Sequence, residues 1–146
     1  MTPEEADELF GELWSVSDQL FDDLSALSYR TYQDVGCDFL IDENGNTSLV
    51  AIWFFSPEYA PVRGIKVGDS LESVLFKFSA DDVVSVKNQR AHRMFIDSDL
   101  KVLNNTIDTY NATNVICRDF HTPTGRIIFY FDEDLLLDSM QVYLTH

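Results

Sequence analysis

Cys117, Asp119 and His121 are the residue types in this chain most able to do chemistry together. Their spacing of two puts all three on one face if the segment is a strand. A thiol and an imidazole on a shared surface suggest a nucleophile with its base, or ligands of a metal ion. The separation argues against both. Cys117 to His121 along a strand is roughly 13 Å, far beyond the hydrogen bond that activates a thiol. His92 and His146 have no tight spacing to the group. The plainer reading is a half-buried strand running into a turn.

Other arrangements fail in the same way. Asp42, Asn44 and Asn46 alternate as calcium ligands do, but Gly45 falls at the fourth position of the loop instead of the sixth. Trp53 stands where the bidentate Glu belongs, so a plain Asn-Gly hairpin is expected there. Gly64 and Gly68 lack the Gly-Lys-Ser/Thr ending of a phosphate loop. Asp97 and Asp99, and the run Asp132-Glu133-Asp134, sit where short carboxylates stabilise turns. The expectation is therefore no catalytic residues, no metal, no cofactor and no enzyme.

Binding residues are better represented. Trp53, Phe55 and Tyr59, with Tyr29 and Tyr32, form a set of aromatics of the kind that anchors interfaces. The basic residues gather at Lys87, Arg90, His92 and Arg93, a second candidate contact. Against them stands the charge of the whole chain: 25 Asp and Glu, 10 Lys and Arg, formally -15. That field repels phosphate backbones and anionic lipid, which argues against nucleic acid and membrane as partners. It speeds encounter with a basic protein, and it also serves solubility alone.

The elements that must position these residues follow from periodicity. Thr2-Pro3-Glu4-Glu5 reads as a helix cap, with Pro at the first helical position and a Thr-x-x-Glu capping box. Ala6, Leu9, Phe10, Leu13, Trp14, Leu20, Phe21, Leu24 and Leu27 then form a helical stripe, interrupted at Ser15 and Ser17. This predicts a long amphipathic helix over 3–28. From Val35 the period changes to two, which predicts a hairpin over 35–55. Asp69, with Glu72 as reciprocal partner and Gly68 turning the chain before it, predicts a second helix over 69–79 with Leu71, Val74, Leu75 and Phe78 buried. Strands are expected in a meander over 92–145, while 99–111 fits neither period. Cys37 and Cys117 both fall in strands, as buried thiols or as a pair.

The stretch Arg63-Gly64-Ile65-Lys66-Val67-Gly68-Asp69-Ser70-Leu71-Glu72-Ser73-Val74-Leu75 resembles a helix-start signature of small uncharacterised proteins, many from Gram-positive bacteria. It is more distantly similar to the Gly-x-(Ser/Thr)-x-x-x-Val start of the β-lactamase-inhibitor-like and outer-membrane-assembly-lipoprotein folds. That resemblance implies short helices laid on one face of an antiparallel sheet, and function by binding other proteins. It gives Gly64, Gly68, Asp69 and Glu72 a structural role and implies no catalytic residue.

Together these readings predict one α+β domain over 1–146, an antiparallel sheet with a long N-terminal helix and a short second helix on one face. The functional expectation is a non-catalytic protein-binding module. An acidic inhibitor or immunity-type protein that masks a basic enzyme comes second, and a small ligand-binding protein or enzyme with a cleft near Cys117 and His121 third. No apolar run approaches the ~20 residues of a membrane span. If Met1 is the native start, its acidic surroundings, unlike a signal peptide, point to the cytoplasm.

Overall fold

The backbone of residues 15–20, expected to be helical, is strand, and this changes the class of the fold. The computed structural model describes residues 1–20, 24–96, 102–119 and 125–144, and the side chains among these except 19, 20, 90–96 and 102–110. Helix α1 covers only Pro3–Phe10. Thr2 caps it by accepting from the Glu5 amide at 3.1 Å. Gly11, at φ +86°, closes it with its N–H on the Asp7 carbonyl at 3.1 Å. Only glycine enters that backbone region without cost, so the helix ends where the glycine stands.

Beyond Gly11 the Trp14 amide donates to the Thr31 carbonyl at 2.7 Å, and β1 (Ser15–Leu20) pairs with β2 (Ala26–Thr31). The stripe of apolar residues at helical spacing is thus divided between a short helix and two strands. Leu9 and Leu24, both members of it, are 64% exposed. Ser15 and Ser17 form helix weakly because their hydroxyls compete for the backbone.

The eight strands of the described residues join one antiparallel sheet in the order β1-β2-β3-β4-β8-β7-β6-β5. Here β3 is Val35–Ile41, β4 Thr47–Phe54, β5 Val83–Ile96, β6 Val102–Arg118, β7 Arg126–Phe131 and β8 Leu137–Tyr143. The expected mixture of long helix and sheet is therefore corrected to an eight-stranded sheet with two small helices. Asp42 Oδ1 accepts from the Asn44 and Asn46 amides at 2.9 and 2.8 Å, holding the β3–β4 turn as an ordinary hairpin. Part of the segment that fitted neither period belongs to β6, which is 17 residues long. Its outer half meets β5 alone, because β7 pairs with it only from Thr113 to Arg118. The acids Asp97 and Asp99, the 122–124 turn and the stretch 21–23 lie outside the described residues.

The second helix, α2, is Leu71–Phe76, followed by a 3-10 turn at Ala80–Asp82. Its cap is Ser70, which accepts from the Ser73 amide at 3.2 Å, in place of the expected Asp69 and Glu72. Asp69 is used one step earlier, where its Oδ2 accepts from the Lys66 amide at 3.0 Å. The Gly68 amide and the Asp69 carbonyl then bond Leu137 and tie this connection to β8.

Register partners in an antiparallel sheet project to the same side, so the two faces can be read across the strands. One face carries Cys37, Ile52, Val142, Ile127 and Cys117 in a single row. Helix α1 covers its β2–β4 half over Tyr32, Val35, Cys37 and Phe39. Helix α2 and the Val62–Ile65 turn cover the other half over Phe129, Phe131, Met140 and Val142. The two thiols are buried and unpaired. Four strand spacings of ~4.8 Å separate them, about 19 Å, far beyond disulfide reach. Among the described residues no helix is long and apolar enough to cross a membrane.

Candidate functional site

The opposite face is built from the alternate residues of the same strands. Tyr29, Asp38, Ala51 and Tyr143 are in register across β2, β3, β4 and β8. Two residues along each strand, Thr31, Gly36, Trp53, Gln141 and Ile128 form the next row. Neither helix packs here. The face is covered instead by its own aromatic rings lying over small and polar residues. Trp53 stacks on Tyr130 with centroids 5.1 Å apart and on Phe55 at 6.1 Å. The guanidinium of Arg126 lies 4.9 Å from the centre of the Tyr143 ring.

Gly36 is what lets Phe55 lie down on the sheet. A Cβ at that position would stand 3.2 Å from Phe55 Cε2 and 3.3 Å from Trp53 Cβ, tighter than ordinary contact. The absent side chain leaves a gap that the aromatic ring fills.

Asp38 lies beneath these rings, only 5% exposed. Trp53 Nε1 donates to its Oδ2 at 2.8 Å, and Gln141 Nε2 donates to the same oxygen at 3.1 Å. Burial pushes the Asp38 carboxyl above its ordinary range, and the two hydrogen bonds offset only part of that. No cation among the described residues pairs with it. Its charge raises the proton affinity of Tyr29, already raised more strongly by burial. Asp38 is also part of the wall of a cavity of about 230 Å³, with Tyr29, Gly36, Trp53 and Phe55. Arg30 borders the cavity too, but it is in register with Cys37 on the covered face. There its Nη2 donates to Asp7 at 2.9 Å.

The expected binding residues separate into three places. Trp53 and Phe55 share the open face with Tyr29. Tyr59 packs on Phe54 at 5.5 Å on the covered side. Tyr32 is fully buried, with Oη donating to Asp7 Oδ1 at 2.5 Å; burial first, and then the Asp7 carboxylate, push the phenol up to about 12. Arg90, His92 and Arg93 belong to the two-stranded part of β5 and β6, four strands across the sheet from β4, and their side chains lie outside the described residues. Gly64, at φ +72°, and Gly68, at φ +99°, shape the loop before α2.

The Cys117–Asp119–His121 grouping resolves differently. His121 lies outside the described residues. Cys117 is completely buried, and burial pushes its thiol up to about 11, so it stays protonated at neutral pH. Asp119 Oδ2 accepts from Arg63 Nε at 3.0 Å. Sequence reasoning missed Asp38 altogether. Its one signal was a carboxylate set between apolar neighbours in a strand, where an acid is rarely buried without a purpose.

A larger hollow of about 540 Å³ lies between the β5–β6 strands and the β7–β8 turn. Three of its polar side chains are engaged within the fold. Thr113 Oγ1 donates to Asn88 at 2.7 Å, and Asp132 Oδ1 accepts from the Asp134 and Leu136 amides. Comparison of the chain with protein-family models, with curated proteins and with solved structures finds no match.

Proposed function

We propose that this protein is a non-catalytic binding module that takes a basic protein partner on the open, aromatic face of its sheet. The observation that carries this reading is the cluster of Tyr29, Trp53, Phe55 and Tyr130 on the one side that neither helix covers. Phe55 alone is 38% exposed. Aromatic rings of this kind supply area at low entropic cost in interfaces. The buried, cation-free carboxylate among them and the net charge of -15 both favour a basic partner over an acidic one.

The experiment is capture from a lysate of the source organism by the full chain and by a Trp53→Ala/Phe55→Ala variant, with a salt gradient for release. The reading expects a basic protein that binds the parent chain and is lost from the variant. Equal capture by the two, or none by the parent chain, would remove it. Steep release by modest salt would favour the narrower role of an acidic inhibitor masking a basic enzyme, since screening weakens rim charges far more than an apolar contact.

A further inference from the structure

We infer that the cavity beside Asp38 is a cation cage that receives one arginine side chain of the partner, a step that rests on the binding reading above. Three observations converge on it. Three aromatic residues, Tyr29, Trp53 and Phe55, supply the large side chains of the wall, beside Arg30, Thr31, Gly36 and Asp38. Ring faces attract a cation through their quadrupole, most strongly once water is excluded. Among the described wall residues Asp38 is the one acid; Arg30, the one base, is engaged with Asp7, and no cation pairs with Asp38. The size also selects. About 230 Å³ is smaller than the roughly 300–1,000 Å³ of small-molecule sites. It suits a single side chain.

The polar contacts decide which cation. Trp53 and Gln141 both donate to Oδ2, so an incoming group must share a carboxylate that is already oriented. A guanidinium spreads its charge over a plane, stacks on aromatic faces and is more weakly hydrated than an ammonium. It loses less on entering such a site. Burial raises the proton affinity of the Asp38 carboxyl. A cation beside it would favour the charged form and recover the cost of keeping a carboxylate there.

The probe is Nα-acetyl-arginine amide, titrated into the full ¹⁵N-labelled chain while the Trp53 indole N–H resonance is followed. A Trp14→Phe variant identifies that resonance. The uncharged analogue Nα-acetyl-citrulline amide serves as control. The cage predicts a saturable shift with arginine, at about millimolar Kd for one side chain without its protein. It predicts no saturation with citrulline, and a loss of about tenfold or more in Asp38→Asn.

The comparison of arginine with citrulline needs no variant, so it stands even if Asp38→Asn folds poorly. Equal shifts from the two analogues, or no shift from arginine, would overturn the cage. Failure here beside capture that still depends on Trp53 and Phe55 would leave the binding module intact and remove only the arginine. Capture indifferent to Trp53 and Phe55 would remove the module itself.

Discussion

Among the described residues two carboxylates are buried, Asp38 in β3 and Asp119 just beyond β6, and they are treated in opposite ways. Asp119 is 1% exposed and is met by Arg63, whose Nε donates to it at 3.0 Å. Arg63 is itself held in place: its Nη1 donates to the Lys77 carbonyl, its guanidinium lies 4.3 Å from the centre of the Phe78 ring, and Lys77 Nζ donates back to the Arg63 carbonyl. Even its backbone, at φ +51°, is a conformation that a non-glycine residue adopts only where its surroundings compel it. Asp119 thus anchors the loop before α2 to the end of β6. Asp38, at 5% exposure, has two neutral donors and no cation. A closed ion pair has nothing left to offer a partner; a desolvated carboxylate under aromatic rings does. The contrast marks one as structure and the other as a candidate site.

The largest effect should follow from breaking the closed pair. Arg63→Ala removes the guanidinium bonded to the buried Asp119 and the ring contact with Phe78. A loss of about 3 kcal/mol is expected from urea unfolding. A loss below ~1 kcal/mol would mean that the Arg63–Asp119 pair contributes little to holding the fold, and the contrast with Asp38 would collapse. Next comes Trp53→Phe, which keeps a ring on the open face but deletes one donor to Asp38. The expected cost is about 2 kcal/mol, because the carboxylate is left with Gln141 alone. No measurable cost would show that solvent replaces the indole freely and that Asp38 is less desolvated than its neighbours imply.

A smaller effect is expected at Asp7, a half-exposed carboxylate that joins α1 to β2 through Tyr32 and Arg30. Tyr32→Phe removes one hydrogen bond and should cost about 1 kcal/mol at neutral pH. The Tyr32 hydrogen bond is the main influence holding Asp7 below its ordinary range, against desolvation, and Arg30 adds to it. Its contribution is therefore present above the unfolded value of 3.8 and is lost as pH falls through the folded one. The variant should accordingly lose less stability than the parent chain on acidification, as pH-dependent thermal unfolding would show.

How much of this was legible depended on how local the signal was. The Asn44-Gly45 turn is written in adjacent residues, as is the Thr2-Pro3 helix start. The sequence also shows Trp53 and Phe55 two positions apart and so on one face of a strand. The N-terminal third misled because spacings of three and four among apolar residues fit a helix as well as a helix followed by a hairpin. The deciding residue was Gly11, whose positive φ becomes visible only in the folded chain. The pairing of Asp38 with Gln141 spans 103 residues and depends on β4 lying next to β8, a neighbour relation no local pattern encodes. Ser70 rather than Asp69 caps α2 for a similar reason, since Asp69 is drawn away by the Lys66 amide and by β8.

The smallest change in stability, and the sharpest test of the contrast, is expected from Asp38→Asn. The amide keeps an acceptor for Trp53 and Gln141 while removing the charge. Loss of those bonds is avoided and the desolvation of an anion is relieved, so stability at neutral pH should stay within about 1 kcal/mol of the parent chain, on either side. The pH dependence has a definite sign. Asp38 holds its proton more tightly folded than unfolded, so the native state binds more protons in the window above the unfolded value of 3.8. Its stabilising contribution is complete below that value and disappears as pH rises through the folded one, opposite in direction to that of Asp7. In Asp38→Asn that decline should vanish, so the variant gains on the parent chain as pH rises across the window. If the two chains track each other there, the charge on Asp38 is already compensated within the sheet, and the open face holds no unmet charge for a partner to answer.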